Sequence, residues 1–304
     1  MPSFTTRLLP DLAALLLLGA AAGAPAQTAP AAKPAAPAST AADPDEEKVR
    51  VTVPRSLARC LDHESEPFML VGEQPCLSFH KPMYVMPATY SNRYTSEESE
   101  FVYQLSLKVN LFDSNIFFAY TQKSFWQVYN GNDSRPFRET NYNPELFYRW
   151  KPEFTFCPRC GFDFGGEHES NGKGVPDSRS WNRVYATAFH EWRRTLVDLK
   201  LWYRIPEDAK KTPDDPKGDD NPDIADYYGY GELRVQQRWS GGQLAALMVR
   251  GNPSTGKGAV ELNYSKPFGD YLYWNVYLFN GYGDSLADYN RSVTRIGAGV
   301  MLAH

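Results

Sequence analysis

The sequence has few of the features that mark a helical membrane protein or a nucleic-acid-binding protein. Apart from residues 12–22, the 304-residue chain has no long apolar run, which excludes a bundle of transmembrane helices. Its 32 lysines and arginines are outnumbered by 36 aspartates and glutamates, so the basic excess of nucleic-acid-binding proteins is missing. Neither scarcity excludes a membrane barrel built from strands, because a polar lumen lowers the mean hydropathy of such a barrel.

The short apolar run at the start predicts export. Arg7 provides a weak positive region, residues 12–22 an apolar region, and Ala24-Pro25-Ala26 a small-x-small cleavage site, as in a secretory signal peptide. A retained helical anchor is the disfavoured alternative, since the run is too short to span a bilayer. We therefore expect a signal peptide at 1–26, an Ala/Pro-rich tether and N-terminal extension at 27–80, and one barrel domain at 81–304.

Cysteine is scarce, with four residues in all: Cys60, Cys76, Cys157 and Cys160. Export makes disulfides chemically reasonable. The spacing of Cys157 and Cys160 also suits a redox pair or a zinc site. The sequence offers neither a second pair with metal-ligand spacing nor a thioredoxin-like βαβ pattern, so we favour a structural bridge at a turn. The pairing of Cys60 and Cys76 stays open.

Alternating apolar and polar residues run through the chain from about residue 101. Clear examples are 101–109, 197–203, 233–239 and 294–302. Segments of about 10 residues with this period of two, separated by turn residues, are typical of an outer-membrane barrel. A soluble antiparallel sandwich or a lipocalin-like barrel would also alternate, with its apolar side inward. The Asp-, Lys- and Pro-rich residues 210–223 predict a long extracellular loop.

A histidine and a serine stand two residues apart in one of these segments. Because side chains of a strand alternate between faces, His168 and Ser170 share a face with Phe162 and Phe164. Histidine is the usual base for a serine nucleophile, and a third group must hold the imidazole. Asn182 begins an apolar face of the next segment and can accept a hydrogen bond from the ring, although it adds no charge.

Two motifs carry a resemblance to a known family. His168-Glu169-Ser170-Asn171-Gly172, followed by Ser178-Arg179-Ser180-Trp181-Asn182-Arg183, resembles the signature of outer-membrane phospholipase A. Shorter stretches that resemble the same family are 120–124, 136–142, 220–224, 281–286 and 288–290. The resemblance implies an all-β, antiparallel transmembrane β-barrel of about 12 strands, in the outer membrane of a Gram-negative bacterium, with catalytic groups on its outer wall.

The resemblance also implies a reaction. It makes Ser170 the nucleophile, His168 the general base and Asn182 the residue that orients the base. The expected substrates are the sn-1 and sn-2 acyl esters of phospholipids and lysophospholipids.

Calcium and a second subunit follow from the same resemblance. It assigns calcium ligands to the Ser178 hydroxyl, to the backbone carbonyls of Lys173 and Ser134, and to Asp220. Activity is expected in a homodimer. Gln122 shares an apolar face with aromatic residues, and an amide facing lipid favours a partner on a second subunit. The resemblance places a dimer-interface glutamine at the same position; a residue at headgroup depth is the alternative.

Three other functions compete with this interpretation. A catalytically silent, porin-like barrel would show a replaced triad residue, and none of the three positions is replaced. A lipid A deacylase-type esterase would use a similar His/Ser pair but prefer lipopolysaccharide. A soluble periplasmic binding module would extract from cells without detergent.

Overall fold

The computed structural model describes residue 68 and residues 77–112, 114–212, 214–269 and 272–303. The predicted signal peptide, most of the tether, Cys60 and Cys76 lie outside the described residues. Within them, none of the helices has the length and apolar character needed to cross a bilayer. The described residues all belong to one compact unit of the chain, residues 52–304.

The described residues form a closed antiparallel barrel, as the sequence predicts. Twelve strands, β2 to β13, each pair with their neighbours in chain order, and β13 pairs with β2 to close the barrel. A thirteenth, β1, pairs with β3 beside β2. The strands are β1 Leu77–Phe79, β2 Met83–Ser91, β3 Phe101–Leu111, β4 Ile116–Trp126, β5 Phe137–Trp150, β6 Cys160–Ser170, β7 Ser180–Trp192, β8 Thr195–Ile205, β9 Gly231–Arg238, β10 Leu244–Asn252, β11 Lys257–Pro267, β12 Tyr273–Tyr282 and β13 Ser292–Ala303.

The side chains on the two faces of the barrel wall distinguish a membrane barrel from a soluble one. On β8, Leu199 and Leu201 are 43% and 53% exposed, whereas Asp198 and Lys200 between them are buried. The apolar side chains therefore point outward and the charged ones into the lumen. A soluble barrel has the opposite arrangement, and an apolar outer band with a polar interior is that of an outer-membrane barrel.

Ion pairs cross the lumen and provide partners for several of its buried charged side chains. Lys200 on β8 lies 3.3 Å from Glu145 on β5 and 3.0 Å from Glu167 on β6, and Lys123 on β4 lies 3.2 Å from Asp284 beyond β12. A buried charge is tolerated only when it is paired and hydrogen-bonded. These contacts therefore join strands that are not neighbours in the wall, through its interior.

The two ends of the barrel differ. The long connections 127–136, 171–179 and 206–223 all lie at the end where β4, β6 and β8 finish, which we call the site rim. The connection between β7 and β8 at the opposite rim has two residues. The connection 151–159 at the opposite rim is as long as 171–179, but the longest connection, 206–223, is at the site rim. Longer loops on one side than on the other are typical of outer-membrane barrels.

A disulfide joins Cys157 and Cys160 at the opposite rim, so the predicted bridge is confirmed. The Cys157 sulfur lies 3.1 Å from Nδ1 of His190, which stands opposite Cys160 on β7.

Candidate active site

The pairing of β6 with β7 brings the predicted base and its orienting residue together. His168 stands directly opposite Asn182 in the register of the two strands, and its Nδ1 lies 2.9 Å from Asn182 Oδ1. An amide oxygen only accepts hydrogen bonds, so Nδ1 must carry the ring proton. Nε2 is then left with a free lone pair, which is the form of the ring that can act as a base.

Ser170 lies two residues along the same face of β6. It stands opposite Ser180 on β7 and Tyr142 on β5, and both His168 and Ser170 are partly exposed. The face is the outer one, because Phe164 on it is 47% exposed while Glu167 on the other face is buried. The candidate nucleophile and base therefore lie on the lipid-facing wall, next to the site rim.

The loop that follows Ser170 is held by Asn171. Its buried side chain donates to the carbonyl of Asp177 at 2.9 Å and accepts from the backbone N–H of Arg179 at 2.9 Å. Gly172 has φ +66, in the left-handed region that favours glycine, and a Cβ there would come within 3.0 Å of the Tyr142 ring. The Asn-Gly pair of the motif therefore shapes the turn beyond the nucleophile.

The inward residues of the two motifs also contact one another. Glu169 accepts hydrogen bonds from Trp181 Nε1 and from Arg183 Nη2, both at 3.0 Å. Arg183 also lies 3.1 Å from Glu167. The two motifs thus form one paired element: its outward residues form the candidate site, and its inward residues fix the pairing.

Two of the four predicted calcium ligands are in direct contact. The Ser178 hydroxyl donates to Asp220 Oδ2 at 2.6 Å, and the other oxygen of Asp220 lies 2.6 Å from the ammonium of Lys210. Lys173 lies in the same loop as Ser178, with its ammonium 3.5 Å from Glu139. Ser134 lies in the separate loop 127–136, where its φ is +60, so the four are gathered at one rim without all being in contact.

The segment that carries Asp220 is docked against the site. Asn221 is fully buried and accepts from the backbone N–H of Ser180 at 3.1 Å. Asp223 accepts from the Tyr289 hydroxyl at 2.7 Å; burial and this carboxylate together raise the pKa of Tyr289 above its ordinary value. The short helix α1, Ile224–Tyr228, follows directly.

Gln122 lies on the outward face of β4, as predicted. It is partly exposed between Tyr120, whose hydroxyl donates to Gln122 Oε1 at 3.1 Å, and Ser124, which accepts from Nε2 at 3.2 Å. Within one subunit the amide therefore uses one acceptor site and one donor, and has capacity for further bonds.

Glu207, which contacts Asn182, has no counterpart in the sequence-based prediction. Glu207 accepts a hydrogen bond from Nδ2 of Asn182 at 3.0 Å. It lies in the charged loop after β8, where no periodicity relates it to β6 or β7, and only the folded chain brings it to Asn182.

Known proteins resemble this chain over most of the barrel. The family model for phospholipase A1 matches residues 71–302. Phospholipase A1 of Escherichia coli (strain K12) is 37% identical over 225 residues, 71% of this chain and 73% of the relative. A putative phospholipase A1 of Neisseria meningitidis serogroup B is 38% identical over 258 residues, 73% of this chain but 64% of the relative.

Solved structures agree with these relatives. The outer-membrane phospholipase dimer of Salmonella typhi with bound calcium has a TM-score of 0.67 at 32% identity and covers 77% of this chain and 95% of that one. An active-site mutant of the E. coli enzyme, in which an asparagine is replaced by alanine, has a TM-score of 0.66 at 31% identity and covers 82% and 98%. The chain described here therefore belongs to the phospholipase A1 family, the outer-membrane phospholipases A.

Proposed function

We propose that this protein is a calcium-dependent phospholipase of the outer membrane that hydrolyses the sn-1 and sn-2 acyl esters of phospholipids and lysophospholipids. The observation that carries the proposal is the hydrogen bond between His168 Nδ1 and Asn182 Oδ1, on the outward wall that also bears Ser170. An active-site asparagine in the E. coli relative supports the same role for Asn182.

In the proposed mechanism the Ser170 hydroxyl attacks the ester carbonyl while Nε2 of His168 takes its proton. Asn182 accepts from Nδ1–H and so stabilises the ring orientation as the imidazolium forms. When the tetrahedral intermediate collapses, the C–O bond to the glycerol breaks and the imidazolium protonates the departing oxygen. Water, deprotonated by the same imidazole, then hydrolyses the acyl-enzyme and releases a fatty acid.

The residues at the rim suit a calcium ion. Ser178 and Asp220 offer hard oxygen atoms, and the hydrogen bond of 2.6 Å between them supports a shared role as ligands. With the backbone carbonyls of Lys173 and Ser134 they would hold the ion. A bound dication would supply electrostatic stabilisation to the oxyanion that develops on the ester. The bound calcium of the S. typhi relative supports this assignment.

The active form is proposed to be a homodimer, as in the S. typhi structure, with Gln122 in the interface. Residues 1–26 are proposed to be removed on export, and residues 27–80 to tether the barrel. Strand β1, at the C-terminal end of this region, pairs with β3 of the barrel wall.

The test is fatty-acid release from phosphatidylethanolamine by the detergent-refolded protein, with calcium or with a chelator, beside Ser170→Ala. We expect calcium-dependent release that falls by at least about 1000-fold in the variant, because a triad without its nucleophile keeps little activity. Ser180→Ala, which changes the serine opposite on β7, serves as the control and should keep activity.

Equal turnover by Ser170→Ala and its parent would overturn the triad and favour a silent barrel. The same assay with lipopolysaccharide as substrate distinguishes a phospholipase from a lipid A deacylase. Release from lipopolysaccharide but not from phosphatidylethanolamine would overturn the phospholipase in favour of a lipid A deacylase.

A further inference from the structure

We propose that Glu207 is a positioning residue of the active site, which fixes the Asn182 amide and supplies the negative charge that a Ser-His-Asn triad lacks. This inference rests on the proposed function. Asn182 contacts both groups, with Nδ2 3.0 Å from Glu207 Oε1 and Oδ1 2.9 Å from His168 Nδ1. The three side chains form a continuous chain of hydrogen bonds that ends at the general base.

The carboxylate determines every donor and acceptor in this chain. An ionised carboxylate only accepts, so the amide must turn its nitrogen toward Glu207 and its oxygen toward His168. The oxygen in turn accepts only, which places the ring proton on Nδ1 and leaves Nε2 free for Ser170. If the amide turned over, its NH2 group would face Nδ1 and favour the opposite tautomer, in which Nε2 holds the proton and cannot act as a base.

The charge matters as well as the orientation. The imidazole becomes positively charged while Ser170 attacks, and asparagine offers only a dipole to that charge. A carboxylate bonded to the far side of the amide polarises it, because neighbouring hydrogen bonds strengthen one another where the dielectric constant is low. Glu207 thereby gives the triad part of the electrostatic support that an aspartate gives in a Ser-His-Asp triad.

The fold holds Glu207 in place. It lies two residues beyond Ile205, the last residue of β8, which stands opposite Asn182 in the pairing of β7 with β8. One residue further on, the carbonyl of Asp208 accepts from the backbone N–H of Asp219 at 2.8 Å. Asp219 itself bonds Arg204 at 2.6 Å, so both ends of the loop are tied together beside the site.

The other ionisable groups around His168 either are not acidic at neutral pH or contact other residues. Tyr142 on β5 and Tyr203 on β8 are the titratable residues of the outward face nearby. Arg183 on β7 points into the lumen toward Glu167 and Glu169. Lys210 in the loop is bound to Asp220. Among the residues that the structure describes, Glu207 is thus the acidic side chain that contacts the His168–Asn182 pair.

The first test compares Glu207→Gln with its parent through the pH–rate profile of the refolded enzyme with calcium. We expect kcat to fall about 10-fold, because glutamine can still accept from Asn182 but the hydrogen bond is no longer to a charged group, with KM unchanged because Glu207 acts through Asn182. The acid limb should move to lower pH, since the imidazolium loses a nearby negative charge. Asp208→Asn, which removes the neighbouring charge in the same loop, is the matched control.

A charge exchange makes the test independent of folding. Asn182→Asp alone should be strongly impaired, because its new carboxylate faces that of Glu207. Adding Glu207→Gln reverses donor and acceptor and should recover at least about 10-fold in kcat, since a carboxylate again stands against a hydrogen-bond donor. Recovery in a double variant cannot come from damage to the fold.

The outcomes separate this inference from the function on which it rests. A Glu207→Gln profile that matches the parent in kcat and in its acid limb, or a double variant no better than Asn182→Asp, overturns the role of Glu207 while Ser170→Ala remains inactive. If Ser170→Ala is as active as the parent, the proposed function itself fails.

Discussion

At the scale of single residues, Lys210 stands where a calcium ion would compete with it. Its ammonium lies 2.6 Å from one oxygen of Asp220, while Ser178 donates to the other. A cation and a lysine that share one carboxylate oppose each other, because each is attracted by the same charge. Calcium bound through Asp220, as proposed, would have to compete with this ion pair, and the competition would lower the affinity of the proposed site.

Replacing Lys210 with glutamine should strengthen calcium binding by up to about 5-fold, because an ion pair near a protein surface contributes up to about 1 kcal/mol. Isothermal titration of calcium into the refolded protein measures the change directly. The control is Lys211→Gln, which removes a charge from the exposed neighbour. Equal affinity in the two variants would show that Lys210 does not compete with the ion.

The sequence identifies some of these residues and misses others for a physical reason. His168, Ser170 and Asn182 lie on strands, where a period of two tells which side chains share a face. Glu207 and Lys210 lie in an irregular loop. Their contacts with Asn182 and Asp220 depend on tertiary folding, which no local pattern encodes.

At the scale of the strand, β4 presents a polar residue on an apolar wall. Gln122 bonds Tyr120 and Ser124 along its own strand, so the amide is only partly satisfied within one subunit. The face itself was predictable from alternation, whereas these two intrastrand contacts were not, because they depend on side-chain rotamers.

We predict that Gln122→Leu weakens dimerisation by about 1 kcal/mol per amide, the typical value of a side-chain hydrogen bond within a membrane. Sedimentation equilibrium in detergent with calcium measures the monomer–dimer constant. Asn280→Leu also replaces an outward amide by leucine, on the exposed face of β12, and should not change the monomer–dimer constant. If Gln122→Leu does not change the monomer–dimer constant, Gln122 has no role in dimerisation, and its polar side chain is explained by a position at the depth of the lipid headgroups.

At the scale of the whole molecule, the barrel is closed by its first and last wall strands. Alternation predicted both strands, but their pairing joins residues about 200 positions apart in sequence, and its register shifts between Ala298 and Val300. A fully buried arginine spans this seam: Arg295 on β13 lies 2.5 Å from Glu100 and 2.7 Å from Asp284, and donates to Thr89 on β2 at 2.8 Å. No sequence pattern links these residues, because they meet only in the closed barrel.

Arg295→Leu should therefore lower the free energy of unfolding by about 3–5 kcal/mol, the cost of leaving buried charges without their partner. Urea unfolding in lipid vesicles measures the loss, and Arg291→Leu, at an exposed position near the same rim, is the control.

Burial alone would raise the pKa of Asp284, but Arg295 and Lys123 hold it below its ordinary value. Its pairing therefore stabilises the parent above about pH 4, the ordinary range for aspartate, and is lost as pH falls through the lowered pKa.

The pH dependence gives this prediction its sharper test. In Arg295→Leu the guanidinium is gone and Lys123 alone opposes the effect of burial, so the pKa of Asp284 rises and the carboxyl group becomes more costly to keep ionised. The difference in stability between variant and parent should consequently be largest at pH 7 and shrink toward pH 4, where protonation relieves the unpaired charge. A loss of the same size at both pH values would point to lost packing at the seam rather than to a lost ion pair.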